Sequence, residues 1–466
     1  MGELRMKQMT LSNIAKAIGG EMHNCQESLE IQGVVTDSRQ VEENFLFLAI
    51  KGERVDGHKF IPQVIEAGAA AVVCEVIPEG NVPYILVNDV LAALRDMAEF
   101  YRNTLDIPLI GITGSVGKTS TKECIASVLA QKYNVHKTEG NFNNEIGVPL
   151  TLLKIRDHHE VAVLEMGINH FGEMHRLSKM VKPDIVVMTN IGQCHLEFLG
   201  SRDGILQAKS EIFDYLQEDG TVILNGDDDK LSTIEHVNKK TPVMFGIGQK
   251  NALYADELTS KGLFGTQMKI HVSREAETEF PELYEEAFYA DMPLPGEHMV
   301  YNALAATAVG LTLGLTTEEI AAGIEVVQPT GGRSNIIKCA DKVLIDDCYN
   351  ANPVSMCAAI DLLALADTRK VAILGDMYEL GEDELRLHAN VGRYAVEKGI
   401  DVLVCVGEMS KAMAEEALKV RDEAIKYYSS KQELFADIQN VIEAGDTILI
   451  KASHGMGFAE IVEKLK

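Results

Sequence analysis

At 466 residues the chain is too long for a single hydrophobic core, so several domains are expected. A composition of 46% apolar and 24% charged residues, with 38 glycines, is that of a globular protein and excludes a disordered or low-complexity chain. The formal net charge of −27 argues against nucleic acid or an anionic membrane as partner, so an anionic substrate needs locally gathered positive groups.

In chain order, Leu11–Gly19 reads as a short helix closed by glycine, Val34–Arg39 and Phe45–Ile50 as strands, and Lys51–His58 as turns. Phe60–Ala69 reads as a helix and Ala70–Cys74 as a buried strand, which predicts a small α/β domain over residues 1–104. From about Ile107, strands at Leu109–Thr113, Val161–Glu165, Ile185–Thr189 and Val222–Leu224 alternate with helices at Thr119–Lys132, Phe171–Met180 and Asp203–Leu216. That rhythm predicts a mostly parallel sheet. Residues 241–292 are more β-like and irregular, helices follow at Glu297–Gly310 and Thr317–Val326, and a second domain is expected over 105–329. Pro329-Thr330-Gly331-Gly332 reads as a hinge. Beyond it, apolar runs at Val343–Ile345, Val371–Leu374, Val402–Val406, Ile425–Tyr428 and Thr447–Ile450 alternate with helices, predicting a Rossmann-like domain over 330–466. The fold class is therefore α/β in three domains.

The eight cysteines form no C-x-x-C pair, Met1–Gly20 has no long apolar stretch, and no run is long enough to span a bilayer. A cytoplasmic protein without membrane insertion is expected.

The sharpest motif is G-I-T-G-S-V-G-K-T-S from Gly111 to Ser120, set between an apolar strand and a helix as a phosphate loop requires. Thr113, Gly114, Ser115, Val116, Gly117, Lys118 and Thr119 are the expected nucleotide-binding residues. Lys118 reaches the β/γ-phosphates and the Thr119 hydroxyl meets Mg²⁺. Strict Walker spacing wants glycine at 112, where isoleucine stands between Gly111 and Gly114.

Two further residues sit where α/β sheets place ligands. Glu165 closes its strand and can hold Mg²⁺ directly or through water. His195 follows the Ile185–Thr189 strand, and an imidazole suits Mg²⁺ only where carboxylates share the ion. In the Asp203–Leu216 helix, Lys209 falls four residues after Ile205 and three before Ile212, on the apolar face. Snorkelling, a salt bridge to Glu165 or a phosphate, and carbamylation by CO₂ into an anionic metal ligand all remain open on the residues alone.

Several stretches carry a resemblance: T-D-S-R at Thr36–Arg39, Lys51–Phe60, Thr113–Thr119, G-N-F-N-N-E-I-G-V-P-L-T at Gly140–Thr151, Glu165–Glu173, Thr189–Glu197 and Ala208–Ile212. Gly332–Asn335, D-D-C-Y-N-A-N-P at Asp346–Pro353 and Leu374–Glu382 continue it into the last domain. Together they resemble the Mur ligase family over essentially the whole chain. Within it the chain is similar to the branch that adds D-alanyl-D-alanine to a UDP-linked muramoyl tripeptide. The resemblance implies an ATP-dependent, ADP-forming ligase of peptidoglycan precursor synthesis that works through an acyl phosphate. Its substrates would be UDP-N-acetylmuramoyl-tripeptide and D-alanyl-D-alanine, with ATP, two Mg²⁺ ions and a carbamylated Lys209, on a monomer.

Residue by residue, the resemblance implies Glu165, His195 and carbamylated Lys209 about the second Mg²⁺ and Asn144 near the γ-phosphate. It further implies Asn302 at the adenine, Arg333 near phosphate, Asp347 near ribose, and Ser38 and Arg39 facing UDP. Met299, Ala452 and His454 depart from the family's usual asparagine, glycine and arginine. The rival readings are a tripeptide-forming or folylpolyglutamate-synthetase-like relative, whose D-N-P-R motif in the first case is absent, and a P-loop ATPase that makes no amide bond.

Overall fold

The structure, a computed structural model, describes residues 6, 8–52, 55–194, 196–273, 287–329, 335–421 and 423–466. His195, Arg333 and the Thr330–Gly332 part of the expected hinge lie outside these residues.

Three sheets organise the chain, in three α/β domains. The first contains β1 (Glu21–His23), β2 (Gly33–Val35), β3 (Phe45–Leu48), β4 (Ala71–Cys74) and β5 (Tyr84–Leu86), in the order β1-β5-β4-β3-β2. β2 to β5 run parallel and β1 pairs antiparallel with β5. All four residues of β4 are buried, as a continuous apolar run in a parallel sheet should be.

The second sheet contains β6 (Leu109–Thr113), β7 (Val135–Lys137), β8 (Val161–Glu165), β9 (Ile185–Met188), β10 (Thr221–Asn225), β11 (Val243–Ile247), β12 (Leu253–Ser260), β13 (Thr266–Val272) and β14 (Ala287–Met292). Its order is β14-β13-β12-β11-β10-β9-β6-β8-β7. β6, β7 and β8 pair in parallel, as do β10 to β12, whereas β12 to β14 form an antiparallel meander. The meander is the irregular β-rich stretch expected over 241–292.

The third sheet contains β15 (Asn335–Lys338), β16 (Val343–Asp346), β17 (Lys370–Gly375), β18 (Val402–Val406), β19 (Ile425–Tyr428) and β20 (Thr447–Lys451), in the order β15-β16-β20-β17-β18-β19. β15 is antiparallel and the rest are parallel. Ala372 and Leu374 of β17 face one apolar layer with Met356, Leu387 and Met413; Val371 and Ile373 face the other with Leu434 and Ile461. The domain is doubly wound, as its alternating pattern predicts.

The chain divides into two compact units, 1–113 with 132–187 and 209–221, and 114–131 with 188–208 and 222–466. In the first, the helix Val90–Arg102 is capped by Asp89, whose Oδ1 accepts the Leu91 and Ala92 N–H groups at 2.8 and 2.9 Å. At its far end, buried Arg102 donates to the Val181 and Lys182 carbonyls and to Asp184, at 2.8, 3.1 and 3.0 Å.

Two expected elements give way to 3₁₀ helix. The expected strand Val34–Arg39 ends at Val35, because the Asp37 side chain accepts the Arg39 N–H and turns Ser38–Gln40 into a 3₁₀ helix. The expected helix Asp203–Leu216 runs from Arg202 to Ser210, and its continuation Glu211–Phe213 is again 3₁₀. Among the described residues, no helix is long and apolar enough to cross a membrane.

Candidate active site

In the second unit, the phosphate loop leads into the helix Lys118–Leu129, capped by Gly117 in the left-handed region at φ 86°. A side chain at the cap would be strained there, which is why glycine serves. Thr119 is buried at the first turn, and the Lys118 ammonium donates to the Gly114 carbonyl at 2.7 Å, which holds it over the loop. The Ser115 hydroxyl accepts the Gly192 N–H at 2.8 Å, and the Val116 N–H donates to Asn190 Oδ1 at 2.9 Å. Asn302 is buried behind this helix, where its Oδ1 accepts from the Thr121 hydroxyl at 2.7 Å and its amide donates to Met299 Sδ at 3.2 Å. Asn302 thus braces the helix that follows the loop, and Met299, one of the departures, is its partner.

The last domain adds a buried ion pair at the C-terminal ends of adjacent strands. Lys451, ending β20, donates to Asp347 Oδ2 at 2.7 Å and to the Asn350 carbonyl at 2.9 Å. His298, at the start of the helix His298–Thr312, lies within their field. Burial lowers its pKa below the ordinary imidazole value, while Asp347 opposes that shift and Lys451 adds to it.

In the first unit, Thr113 ends β6 with a buried hydroxyl that has no hydrogen-bond partner. Glu165 ends β8 at 1% exposure. Its N–H donates to the Thr138 hydroxyl at 2.9 Å, and its Oε1 accepts from the Asn143 amide at 2.8 Å. Asn144, expected near the γ-phosphate, turns its Oδ1 to the Ile146 and Gly147 N–H groups at 3.1 and 2.9 Å, where the helix Gly147–Leu152 begins. Lys209 is 1% exposed. A snorkelled lysine keeps its ammonium in water, so that reading is excluded; a paired ammonium and a carbamate both fit the burial. Glu211, two residues on, is pinned as well, since its carboxylate accepts the Gly172 and His175 N–H groups at the start of the helix Glu173–Val181.

The first domain has its own opening at the C-terminal edge of β3, β4 and β5. A cavity of about 370 Å³ is lined by Ile50, Lys51, Glu75, Asn88, Asp89, Val90 and Leu91. Ser38 and Arg39 lie just after β2, on the same edge of the sheet. Arg39 is exposed and forks onto Asp37, which lowers the Asp37 carboxyl to about 2 through that hydrogen bond.

Three models of known families match successive parts of the chain: the Mur ligase family catalytic domain over residues 30–102, the Mur ligase middle domain over 112–310, and the Mur ligase glutamate ligase domain over 332–454. The UDP-N-acetylmuramoyl-tripeptide–D-alanyl-D-alanine ligase of Bacillus subtilis is 40% identical, across 99% of this chain and 99% of its own. The chain belongs to the Mur ligase family. A crystal structure of MurF from Acinetobacter baumannii superposes with a TM-score of 0.90 at 33% identity, covering 99% of both chains. That of the Thermotoga maritima MurF ligase in complex with ADP does so with a TM-score of 0.80 at 27% identity, covering 92% of this chain and 96% of that one.

The sequence reading of this Mur ligase misses Asn143, Asn190, Lys451 and His298. For Asn143 and Asn190 a signal was present, since both stand in stretches that carry the family resemblance. Lys451 and His298 act through chain segments distant in sequence, which no local pattern marks.

Proposed function

We propose that the chain joins D-alanyl-D-alanine to UDP-N-acetylmuramoyl-tripeptide with ATP, releasing ADP and phosphate. The observation that carries this reading is the match to the B. subtilis ligase, 40% identity across 99% of both chains, which leaves no unmatched domain for another chemistry.

A carboxylate does not react with an amine at neutral pH, because its oxygen is a poor leaving group. In the proposed route the tripeptide's terminal carboxylate attacks the γ-phosphorus of ATP, forming an acyl phosphate and expelling ADP. The D-alanyl-D-alanine amine then attacks the acyl carbon, loses a proton, and phosphate departs from the tetrahedral intermediate. Lys118 offsets charge on the phosphates, and Arg333 is assigned the same task from the last domain. The work is mainly positioning and charge stabilisation.

The donor set suits Mg²⁺. The Thr119 hydroxyl and the Glu165 carboxylate are oxygen donors, and both are buried at the ends of loop and strand. Thr119 is assigned to one ion; Glu165, His195 and Lys209 as its carbamate are assigned to a second. Bound Mg²⁺ would neutralise phosphate charge; the protein residues fix where it sits. Carbamylation adds CO₂ to a neutral Lys209 amine with release of one proton.

The cavity of the first domain suits the uridine of the nucleotide-linked substrate better than its diphosphate, since Glu75 and Asp89 on its wall repel phosphate. Asn88 offers an amide for the uracil imide. Ser38 and Arg39 are assigned to the diphosphate, and Asn302 and Asp347 to the adenosine of ATP. The site of action is assigned to the cytoplasm, where ATP is available.

Phosphate release with each substrate omitted in turn tests the order of steps. Turnover is expected only with the muramoyl tripeptide present; ATP hydrolysis that ignores the peptide contradicts the scheme.

A further inference from the structure

The tip of the phosphate loop is gripped from outside by one side chain. Asn190, just past β9, forms a two-pronged clamp on a single residue: its Oδ1 accepts the Val116 N–H at 2.9 Å and its Nδ2 donates to the Val116 carbonyl at 3.0 Å. The Thr189 hydroxyl donates to the same carbonyl at 2.6 Å, and the Asn190 backbone carbonyl accepts the Ser115 N–H at 3.0 Å. The two segments approach so closely that a Cβ on Gly114 would stand 2.0 Å from Thr189 Oγ1.

A clamp is only as firm as its mount, and this one is anchored along its length. Asn225 Nδ2 donates to the Thr189 carbonyl at 3.0 Å, Asp228 accepts the Ile191 N–H at 2.9 Å, and Arg202 donates to the Ile191 carbonyl at 2.8 Å. The Gly192 N–H donates to the Ser115 hydroxyl, which returns the loop to the same bracket. The residues on either side of Asn190 are thus held by three side chains from other segments, and Asn190 transmits their rigidity to the loop.

We propose that Asn190 is a positioning residue for the nucleotide. Its amide matches the backbone donor and acceptor of Val116 and fixes the loop's curl before phosphate arrives. The N–H groups of Ser115 and Val116 are engaged by the bracket, so the phosphates rest on the loop from Gly117 to Thr119, at the start of the helix Lys118–Leu129. A loop already in its binding shape loses less entropy on binding, which is the source of the effect. The inference rests on the reading of this loop as the ATP site.

The test is calorimetry of Mg-ADP binding, with no peptide substrate, on the full chain and on Asn190→Ala, Asn190→Asp and Thr189→Val. Loss of two hydrogen bonds is expected to weaken ADP binding roughly tenfold to thirtyfold in Asn190→Ala. Asn190→Asp should be as weak, because its carboxylate keeps the acceptor but faces the Val116 carbonyl without a donor. Thr189→Val, which removes only one donor, should lose about fivefold and carries the test if the Asn190 variants do not fold. In steady state the KM for ATP should rise while the KM for the muramoyl peptide stays within about twofold of the parent, a split that general loosening would not give. A folded Asn190→Ala that binds ADP as the parent does overturns the proposal, as does an equal rise in both KM values. Because ADP binding needs no amide chemistry, failure of the ligase reading would show instead as normal ADP binding effects with no ligation product.

Discussion

Lys209 shows how far one residue can be read before its surroundings are known. Its place on an apolar helical face is legible in the sequence, and its burial at 1% exposure removes the snorkelled alternative. With a carbamate at this position, Lys209→Ala should lose about 10³-fold in ligation rate, and added acetate or formate should restore part of it. An unrescued alanine variant and an equally dead Lys209→Glu would mark a plain ion-paired lysine. Asn88 is a second residue with a distinct signature. Asn88→Ala should raise the KM for the UDP-linked substrate about tenfold at nearly constant kcat, because uridine is held equally in ground and transition states. A change in kcat alone would place Asn88 elsewhere. Asn143 and Asn144 are neighbours with the same side chain and different partners: Asn143 donates to Glu165, while Asn144 accepts N–H groups where the helix Gly147–Leu152 begins, a division that the sequence does not mark.

At the scale of elements, strands flanked by turns and the loop-to-helix step at Lys118 were legible because each is a local pattern. The helix Val90–Arg102 received no assignment, although its buried residues Val90, Ala93, Leu94, Met97, Ala98 and Tyr101 recur at helical spacing. The two 3₁₀ stretches were not legible: Ser38–Gln40 arises from the Asp37 cap competing with a longer strand, and Glu211–Phe213 is a tightened end of a helical pattern. In the last domain, the loop after β17 is tied to the helix Glu384–Glu397 through buried His388, whose Nε2 accepts the Met377 N–H at 2.8 Å while Nδ1 donates to the Glu384 carbonyl at 2.7 Å. Accepting the Met377 N–H needs the neutral ring, and burial lowers the His388 pKa from its ordinary value, against the weaker upward pull of the Glu384 carbonyl. The unfolded chain takes up that proton first, near about 6.5, so this stabilisation is complete above that pH and is lost as pH falls toward the folded value. His388→Ala should cost about 1–3 kcal/mol at neutral pH by orphaning the Met377 N–H. Its melting temperature should also fall less steeply than the parent's between neutral and mildly acidic pH. Parallel pH profiles would contradict the assignment.

Across the whole molecule, the three sheets place their chemistry-bearing residues at the C-terminal ends of parallel strands, where an α/β fold leaves a crevice. The first carries Ser38, Lys51, Glu75 and Asn88; the second carries the phosphate loop and Glu165; the third carries Asp347 and Lys451. Position at a strand end marked the phosphate loop and Glu165 in the sequence, whereas Ser38, Arg39 and Asp347 came only with the family resemblance, and a net charge of −27 gives no hint of anionic substrates. What stayed hidden were the side chains that hold those residues from other segments, since hydrogen bonds between distant stretches leave no periodic trace. The account stands on new amide formation. Its most direct test is mass spectrometry of a reaction containing ATP, D-alanyl-D-alanine and a UDP-N-acetylmuramoyl-tripeptide, run once with lysine and once with diaminopimelate as the third residue. The expected result is a pentapeptide product from at least one tripeptide, with one ADP and one phosphate per amide bond. ADP and phosphate without a pentapeptide, or addition of a single amino acid in place of the dipeptide, would contradict it.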